Sequence, residues 1–307
     1  GTLDVRNGGL YVGGAGADTF AYALTDSVSA KADTITDFTT ASDRIQITVT
    51  AGSGTTFDGT NKGTATDNAN GLSLLSGTSG ATRVGQYYLN TTTNQMVLDS
   101  DGNGLIQAGD FVTTLTGMTA IGDADVAFVV TDAAGEETIT TGGGADTINM
   151  TDTTLDKQDK VDAGAGNDTI NAVQTSLNDT TADTIIGGTG TDTLKITGAG
   201  TVASFGADST LTGVENITFG TDSMVMDLSD QTEVFNITTA NGTNSVNVEG
   251  DVAHTITGGT GADTFIMSRD QLNAVATISG AGSTDILSID EASLLIVDTD
   301  FARVASV

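Results

Sequence analysis

The sequence predicts an all-β solenoid, in which short strands stack into thin, repetitive turns. Three observations lead to this prediction. A nine-residue glycine-rich pattern recurs along the chain, and no segment shows a sustained helical period. The 307 residues include 40 Gly, whereas aromatic residues make up only 5%. Such a composition is poorly suited to a large globular core, but it suits a solenoid in which each turn contacts only its neighbours.

The recurring pattern is Gly-Gly-x-Gly-x-Asp-x-U-x, where U is a large apolar residue. Glycine permits positive φ and lets carbonyl oxygens turn inward, the Asp adds a carboxylate oxygen, and U points into a narrow core. Ligand sets made only of oxygen atoms are typical of Ca²⁺ sites. The pattern therefore predicts calcium sites in five stretches that fit it or nearly fit it: Gly13–Ala21, Thr141–Asn149, Ala163–Asn171, Gly187–Lys195 and Gly258–Ile266.

The candidate ligands are the glycines and the Asp of each repeat, with an Asp nine residues before two of the repeat aspartates. They are Gly13, Gly14, Gly16 and Asp18; Gly142, Gly144 and Asp146; Asp159, Gly164, Gly166 and Asp168; Asp183, Gly187, Gly188, Gly190 and Asp192; and Gly258, Gly259, Gly261 and Asp263. The alternative for each Asp is a turn in which it bonds its own backbone. Five copies favour calcium, and Asp18 is the weakest candidate because the turn before it is degenerate.

Three further residues lie close to the pattern without matching it. Glu137 lies nine residues before Asp146, and Asp285 follows its glycines with one residue too many. We expect Glu137 and Asp285 to occupy positions equivalent to the repeat Asp without binding a metal ion. His254 takes the Asp position nine residues before Asp263, but an imidazole does not suit Ca²⁺. We expect His254 to be a surface or turn residue.

The segment Asp99–Asp110 (DSDGNGLIQAGD) resembles the calcium loop of an EF-hand in its spacing. Asp99, Asp101 and Asn103 fall at the first, third and fifth positions, and Asp110 falls at the twelfth, where a Glu is usual. The shorter Asp side chain makes bidentate binding harder, and the flanking residues read as strands. Calcium binding and a plain hairpin turn are equal alternatives here.

The nonapeptides resemble the Ca²⁺-binding repeats of the RTX (repeats-in-toxin) family. This resemblance implies a parallel β-roll, with two nonapeptides per turn and Ca²⁺ between successive loops, and export by type I secretion. Residues 9–130 further resemble the serralysin-type C-terminal module, because a repeat is followed by DTI-x-DF, D-x-I-x-I and strands around a DGNG turn. Leu211–Phe219 (LTGVENITF) and the terminal DFARVASV resemble segments of RTX S-layer proteins and adhesins.

We predict three regions: a serralysin C-terminal-like β-roll module at residues 1–130, an RTX β-roll at 131–197, and a β-solenoid continuation at 198–307 with a repeat at 258–266. Alternation of polar and apolar residues predicts strands between the repeats. They lie at Asp33–Phe38, Asp43–Ile47, Tyr87–Leu89, Gln95–Leu98, Phe111–Leu115, Glu215–Phe219, Met224–Leu228, Val234–Thr238 and Ser245–Val248. Short helical turns are expected near Leu72–Gly77 and Asp270–Ala276.

Composition and charge argue against several functions. A formal charge of −30 opposes binding to nucleic acid. No apolar run is long enough to insert into a membrane. With no Cys and one His, the chain has no disulfide or zinc-thiolate site, no zinc-protease motif and no serine triad. Since Gly1 rather than Met begins the chain, we expect a piece of a longer protein that is not itself an enzyme.

The leading hypothesis is a non-catalytic, calcium-binding structural segment of a large secreted or cell-surface protein, S-layer-like or adhesin-like, that folds on binding calcium outside the cell. Self-assembly or a cell-surface glycan remain open as further partners. The alternative is the secretion and folding module of an exported RTX hydrolase or toxin. A third possibility, ice or glycan binding by one solenoid face, requires regular threonine ladders, and the Thr residues do not read as regular in the sequence.

Overall fold

The computed structural model describes residues 1–307 apart from 7, 53–55, 76–82, 104, 152–157, 178–182, 203–204, 206–209, 221–222, 250–251, 274–276, 291–303 and 306–307. The chain divides into two compact units. The first comprises Gly1–Asn149 with Val161–Asp168, and the second comprises Met150–Lys160 with Thr169–Val307. The three-region division drawn from the sequence stays a prediction. Much of the terminal DFARVASV segment lies outside the described residues.

The first half of the chain consists mainly of short strands, as its alternating Thr, Val, Ile and Phe residues predict. They are β1 (Thr2–Asp4), β2 (Leu10–Tyr11), β3 (Thr19–Ala23), β4 (Asp33–Ile35), β5 (Arg44–Thr50), β6 (Thr56–Asp58), β7 (Asn61–Ala65), β8 (Arg83–Val84), β9 (Tyr87–Asn90), β10 (Gln95–Leu98), β11 (Phe111–Leu115), β12 (Val126–Thr131), β13 (Thr138–Thr140), β14 (Thr147–Met150), β15 (Lys160–Asp162) and β16 (Ala165–Gly166). Helix α1 spans Asn68–Leu75, and a 3₁₀ turn spans Asp123–Asp125.

The second half has the same character, with shorter strands at closer intervals. They are β17 (Thr169–Val173), β18 (Thr184–Ile186), β19 (Thr189–Gly190), β20 (Thr193–Thr197), β21 (Gly200–Val202), β22 (Leu211–Thr212), β23 (Asn216–Phe219), β24 (Met224–Asp227), β25 (Asn236–Thr238), β26 (Ser245–Asn247), β27 (Thr255–Thr257), β28 (Thr264–Met267), β29 (Thr277–Ser279), β30 (Ile286–Ile289) and β31 (Val304–Ala305). Helix α2 spans Arg269–Asn273.

The first unit contains a parallel sheet, a mixed sheet and a further group of parallel strands in which β6 lies between β13 and β8. In the parallel sheet, β1, β3, β5, β12 and β14 lie side by side in that order. The mixed sheet has the order β2-β4-β11-β10-β9-β7, and its central strands β11, β10 and β9 pair antiparallel. The segment Asp99–Asp110 is therefore the connection of a hairpin. Aromatic pairs pack between the sheets, with Tyr22 edge-on to Phe111 at 5.0 Å between ring centroids.

The second unit contains the most regular solenoid turns. Strands β23 to β31 alternate between two parallel sheets, one with the order β17-β20-β23-β25-β27-β29-β31 and the other with the order β21-β24-β26-β28-β30. Each turn thus adds one strand to each sheet. Equivalent apolar residues stack in register, as Leu194 does on Ile217 and Ile217 on Ile237. These three side chains are fully or almost fully buried, and each contributes roughly 1.5–3 kcal/mol of apolar burial.

The architecture confirms the prediction of an all-β, parallel β-roll or solenoid. The strands predicted in the alternating stretch after residue 198 appear as β23, β24, β25 and β26, within two residues at each end. The two expected helical turns appear as α1 and α2. Among the described residues, neither helix combines the length and apolarity needed to span a bilayer.

Candidate metal centres

The glycine-rich loops of successive turns lie against one another through their backbones. A Cβ added to Gly164 would collide with the carbonyl oxygen of Gly142, and one added to Gly166 would collide with that of Gly144. Gly164 also has a φ of +88°, which residues with a Cβ rarely adopt. Glycine is therefore required at these positions. Its presence brings the carbonyl oxygens of one loop directly beside the next loop.

The same close approach occurs in the second unit. A Cβ on Gly187 would meet the carbonyl of Gly213, and one on Gly261 would meet the carbonyl of Gly242. Gly213 belongs to the LTGVENITF segment, which the sequence did not associate with a calcium loop. The other predicted repeat glycines also lie in these loops: Gly13, Gly14, Gly16, Gly188, Gly190, Gly258 and Gly259.

The repeat aspartates form chains of hydrogen bonds from one turn to another. The backbone N–H of Phe128 donates to Oδ1 of Asp146 at 2.6 Å, and the N–H of Asp146 donates to Oδ1 of Asp168 at 2.7 Å. In the same way, the N–H of Asp18 donates to Oδ1 of Asp43 at 3.0 Å. We call this arrangement the acceptor column. In it, one carboxylate oxygen accepts the amide of a residue one turn earlier.

The acceptor column continues in the second unit. The N–H of Asp159 donates to Asp183 at 3.0 Å, and the N–H of Asp192 donates to Glu215 at 2.7 Å. The N–H of Asp263 donates to Asp285 at 2.8 Å. The nine-residue spacing does not mark Asp43 or Glu215 as acceptors, and it led us to expect that Asp285 has only a structural role. A spacing of 22 to 25 residues, one full turn, would have found all three.

In two of the acceptor aspartates, Asp146 and Asp285, the second carboxylate oxygen (Oδ2) is buried without a hydrogen-bond donor. Oδ2 of Asp33 in the first unit has the same property, and so does Oδ2 of Asp18, whose Oδ1 pairs with the terminal ammonium of Gly1 at 2.6 Å instead of accepting a column amide. An ionised oxygen that loses water without gaining a partner is costly, and a divalent cation removes that cost. Carboxylate oxygens and backbone carbonyl oxygens are the kinds of ligand that Ca²⁺ takes, and the stacked loops offer both. The residues therefore fit the ion.

Two of these carboxylates, those of Asp146 and Asp33, have raised pKa values because they are buried. Burial raises the pKa of Asp146 to about 7, although the N–H of Phe128 and the neighbouring Thr141 side chain both lower it. The Thr141 hydroxyl donates its proton to the carbonyl of Ala163 at 2.7 Å, so Oδ2 of Asp146 still lacks a donor. Burial also raises the pKa of Asp33, although the N–H of Gly9 donates to its Oδ1 at 2.6 Å. At neutral pH the chain by itself thus holds negative charge at these positions only at a cost in free energy.

Two predicted repeats differ from this arrangement. In the first, the N–H groups of Gly13 and Gly14 both donate to the carboxylate of Asp37, at 2.9 and 2.8 Å, and these bonds lower its pKa. In the last, Oδ2 of Asp263 accepts from Gly259 at 3.0 Å and from Thr239 at 3.2 Å. The protein itself therefore satisfies both oxygens of Asp263.

The hairpin loop brings three carboxylates together, as an EF-hand-like spacing predicts. Single oxygen atoms of Asp99, Asp101 and Asp110 all lie within 4.8 Å of one another. Burial raises the pKa of Asp110, whose Oδ1 accepts from the N–H of Ser100 at 3.0 Å. Asn103 is used differently, because its Oδ1 accepts from the backbone of Leu105 at 2.7 Å. The loop is thus folded by its own turns, and its acidic side chains converge.

Of the two positions expected for His254, the surface position is wrong, whereas the residue does lie outside the strands, directly before β27. Its side chain is only 2% exposed, and its ring stacks on that of Phe235 with 5.6 Å between centroids. Its Nδ1 accepts the N–H of Phe235 at 3.2 Å, which is the acceptor-column bond made by a neutral group. Burial lowers the pKa of His254 to about 4. Asn244 plays the same part in the other sheet, where its Oδ1 accepts from Met224 at 3.0 Å.

Comparison with protein families adds an independent finding for the first unit. The family model described as "Peptidase M10 serralysin C terminal" matches residues 5–128. Neither a curated protein nor a solved structure matches the chain. The family match supports an RTX-type module in this part of the chain, in agreement with the resemblance found over residues 9–130, and RTX-type modules of this kind bind calcium and belong to secreted proteins.

We expect Gly164→Ala to destabilise the protein by at least about 1–3 kcal/mol, because the new methyl group strains a positive φ and meets a backbone carbonyl. Urea unfolding in millimolar Ca²⁺ measures the effect. Gly109→Ala is the matched control, because a Cβ at Gly109 meets nothing within 4 Å. Equal stability of the two variants would contradict the close stacking of the loops.

Protonation of His254 should destabilise the fold between pH 6.5 and pH 4. The unfolded histidine, with its ordinary pKa near 6.5, binds a proton in this range, whereas the folded one does not, so the free energy of unfolding falls as the pH falls. The loss at pH 4 is roughly 3 kcal/mol. Urea unfolding of His254→Asn, which keeps an acceptor, should lack this component. If the two proteins lose stability in parallel, the buried neutral histidine is disproved.

Proposed function

We propose that this chain is a non-catalytic, calcium-binding structural segment of a large secreted or cell-surface protein, and that it folds when it binds calcium outside the cell. The observation that supports this most is the set of buried carboxylate oxygens without donors in the acceptor column. Calcium supplies positive charge at those oxygens, and the repeat residues would hold it. The family match to a serralysin C-terminal module supports the same conclusion for residues 5–128.

Coupled folding and binding follows from the charge of the chain. Its 40 acidic residues against 10 basic ones repel one another, and the acceptor column concentrates that charge in a desolvated environment. At the low calcium of a cytosol the folded form is therefore disfavoured, which suits export of an extended chain. Outside the cell each bound ion stabilises only the folded form, so that stability rises with calcium concentration.

We further propose that the hairpin loop contributes a separate calcium site through Asp99, Asp101 and Asp110. The convergence of their oxygens within 4.8 Å supports this proposal. An S-layer-like or adhesin-like parent is supported by the resemblance of the LTGVENITF segment to segments of RTX S-layer proteins and adhesins. The second candidate function is a secretion and folding module of an exported hydrolase or toxin, which the family match favours because it names a peptidase-associated domain.

Circular dichroism during a calcium titration of the whole chain should show a cooperative gain of β-structure, with a midpoint on the order of 10⁻⁴–10⁻³ M. The reason is that the ions bind a site which the unfolded chain lacks. Elemental analysis after dialysis should find calcium retained. An unchanged spectrum in chelator, with no metal retained, would rule the proposal out.

Asp146→Asn should separate the hydrogen bond that Asp146 accepts from the negative charge that it carries. An amide oxygen keeps the bond from Phe128, as Asn244 does elsewhere, but it removes the buried charge. In chelator we expect the variant to gain roughly 1–3 kcal/mol of stability, and in a titration we expect a several-fold higher calcium midpoint. Asp4→Asn, at a side chain 70% exposed, is the control and should change neither quantity. A calcium midpoint unchanged in Asp146→Asn would exclude this residue as a ligand.

A further inference from the structure

One sheet of the second unit carries two parallel rows of threonine and asparagine that the sequence does not make apparent. The rows run across β17, β20, β23, β25, β27 and β29, and we call them the Thr/Asn ladder. The first row is Thr169, Thr193, Asn216, Asn236, Thr255 and Thr277, and the second is Asn171, Lys195, Thr218, Thr238, Thr257 and Ser279. Strand pairing alone brings these residues together, because they are about twenty residues apart in the chain.

The ladder faces solvent. Between its two rows lies the column of buried apolar residues that includes Leu194, Ile217 and Ile237, and side chains alternate between the faces of a strand. Every ladder residue is exposed or partly exposed. The pairing of all six strands is parallel and without a register shift.

The register converts the ladder into a two-dimensional grid. Neighbouring strands lie about 4.8 Å apart, and residues two positions apart along a parallel strand lie roughly 6.6 Å apart. Six strands therefore extend the grid over about 24 Å. The face is therefore periodic in two directions, as a surface that binds a crystalline partner must be.

The threonines and two asparagines of the ladder have restricted side chains before any ligand binds. Threonine is β-branched and has few χ1 states available. The amide Nδ2 of Asn236 donates to Oδ1 of Asn216 at 3.3 Å, and Nδ2 of Asn216 donates to the carbonyl of Asp192 at 3.3 Å. A surface that is already ordered loses little conformational entropy when it binds an ordered partner.

The charge of the ladder is unlike that of the rest of the chain. None of its twelve residues is acidic, although the chain has 40 Asp and Glu, and Lys195 is its single charged residue. The other sheet of the same unit lacks this regularity. Its outward positions include Val225, Asp227 and Ile286, and two of these are exposed apolar residues. A neutral, regular face complements an uncharged, regular partner.

We propose that the Thr/Asn ladder binds the surface of ice, through threonine methyl groups that order water and hydroxyl and amide groups that hydrogen-bond to the lattice. The two-dimensional regularity of the ladder, its restricted threonine side chains and its lack of acidic charge favour this partner. Sugar-binding faces use aromatic rings for stacking, and the ladder has none. The inference is independent of the calcium proposal, because the ladder lies on the strands and not on the loops.

The test uses the whole chain in millimolar Ca²⁺, with ice-crystal shaping and inhibition of ice recrystallisation as readouts. The wild-type protein should shape crystals. Thr218→Tyr and Thr238→Tyr, which place rings in the second row, should each reduce the activity several-fold, and the double variant should lose it. Lys195→Thr should increase the activity, because it completes that row. Val225→Tyr, on the other sheet, is the matched control and should retain full activity.

Circular dichroism and the melting temperature establish that each variant is folded. A folded wild-type protein without any effect on ice would overturn the proposal, and so would an equal loss in Val225→Tyr. Binding to a neutral insoluble polysaccharide, abolished by Thr238→Tyr while ice activity is absent, would replace ice with a glycan. Failure of the calcium titration with retained ice shaping would contradict the proposed function alone.

Discussion

At each corner of the stacked turns a backbone N–H needs a hydrogen-bond acceptor, and the structure depends on supplying one. A parallel solenoid leaves a backbone N–H directed into the corner, and a buried N–H without an acceptor is costly. The chain meets this need with a side chain from another turn, in the acceptor column. Asp146, Asp183 and Glu215 supply a carboxylate oxygen, whereas Asn244 and His254 supply a neutral acceptor.

Whether the acceptor at a corner is a carboxylate or a neutral group decides whether we expect that turn to need calcium. A carboxylate has two oxygens, and the corner amide uses only one of them. Where the second oxygen is buried without a donor, as in Asp146, the proposed calcium ion would supply the missing partner. Where the acceptor is neutral, as in His254, the turn is complete without one. The proposed metal dependence would therefore differ from turn to turn. In the second unit the neutral acceptors Asn244 and His254 occur together with the carboxylate acceptors Glu215 and Asp285.

The loops and the strands have different roles in the rest of the structure. In the second unit Gly187 and Gly261 permit backbone contact between loops, and we expect this contact to hold the spacing of successive turns. A fixed spacing keeps the strands in register, which buries the apolar column on one side of the sheet. On the other side the same register aligns residues such as Thr238 and Thr257, and the Thr/Asn ladder is the result. The Thr/Asn ladder lies on the strands, so the loops affect the proposed binding surface only by keeping the strands in register.

The sequence alone determined the fold class, the oxygen chemistry of the repeats and most strand positions, because these depend on local periodicity and on what glycine and aspartate can do. It did not determine which residues meet, since pairing across a full turn is set by packing and by loop lengths that vary between turns. For this reason Asp43, Asp285 and the place of His254 in the column emerged only in the tertiary structure. The same holds for the Thr/Asn ladder, whose members look irregular along the chain and become regular only when parallel strands bring them side by side.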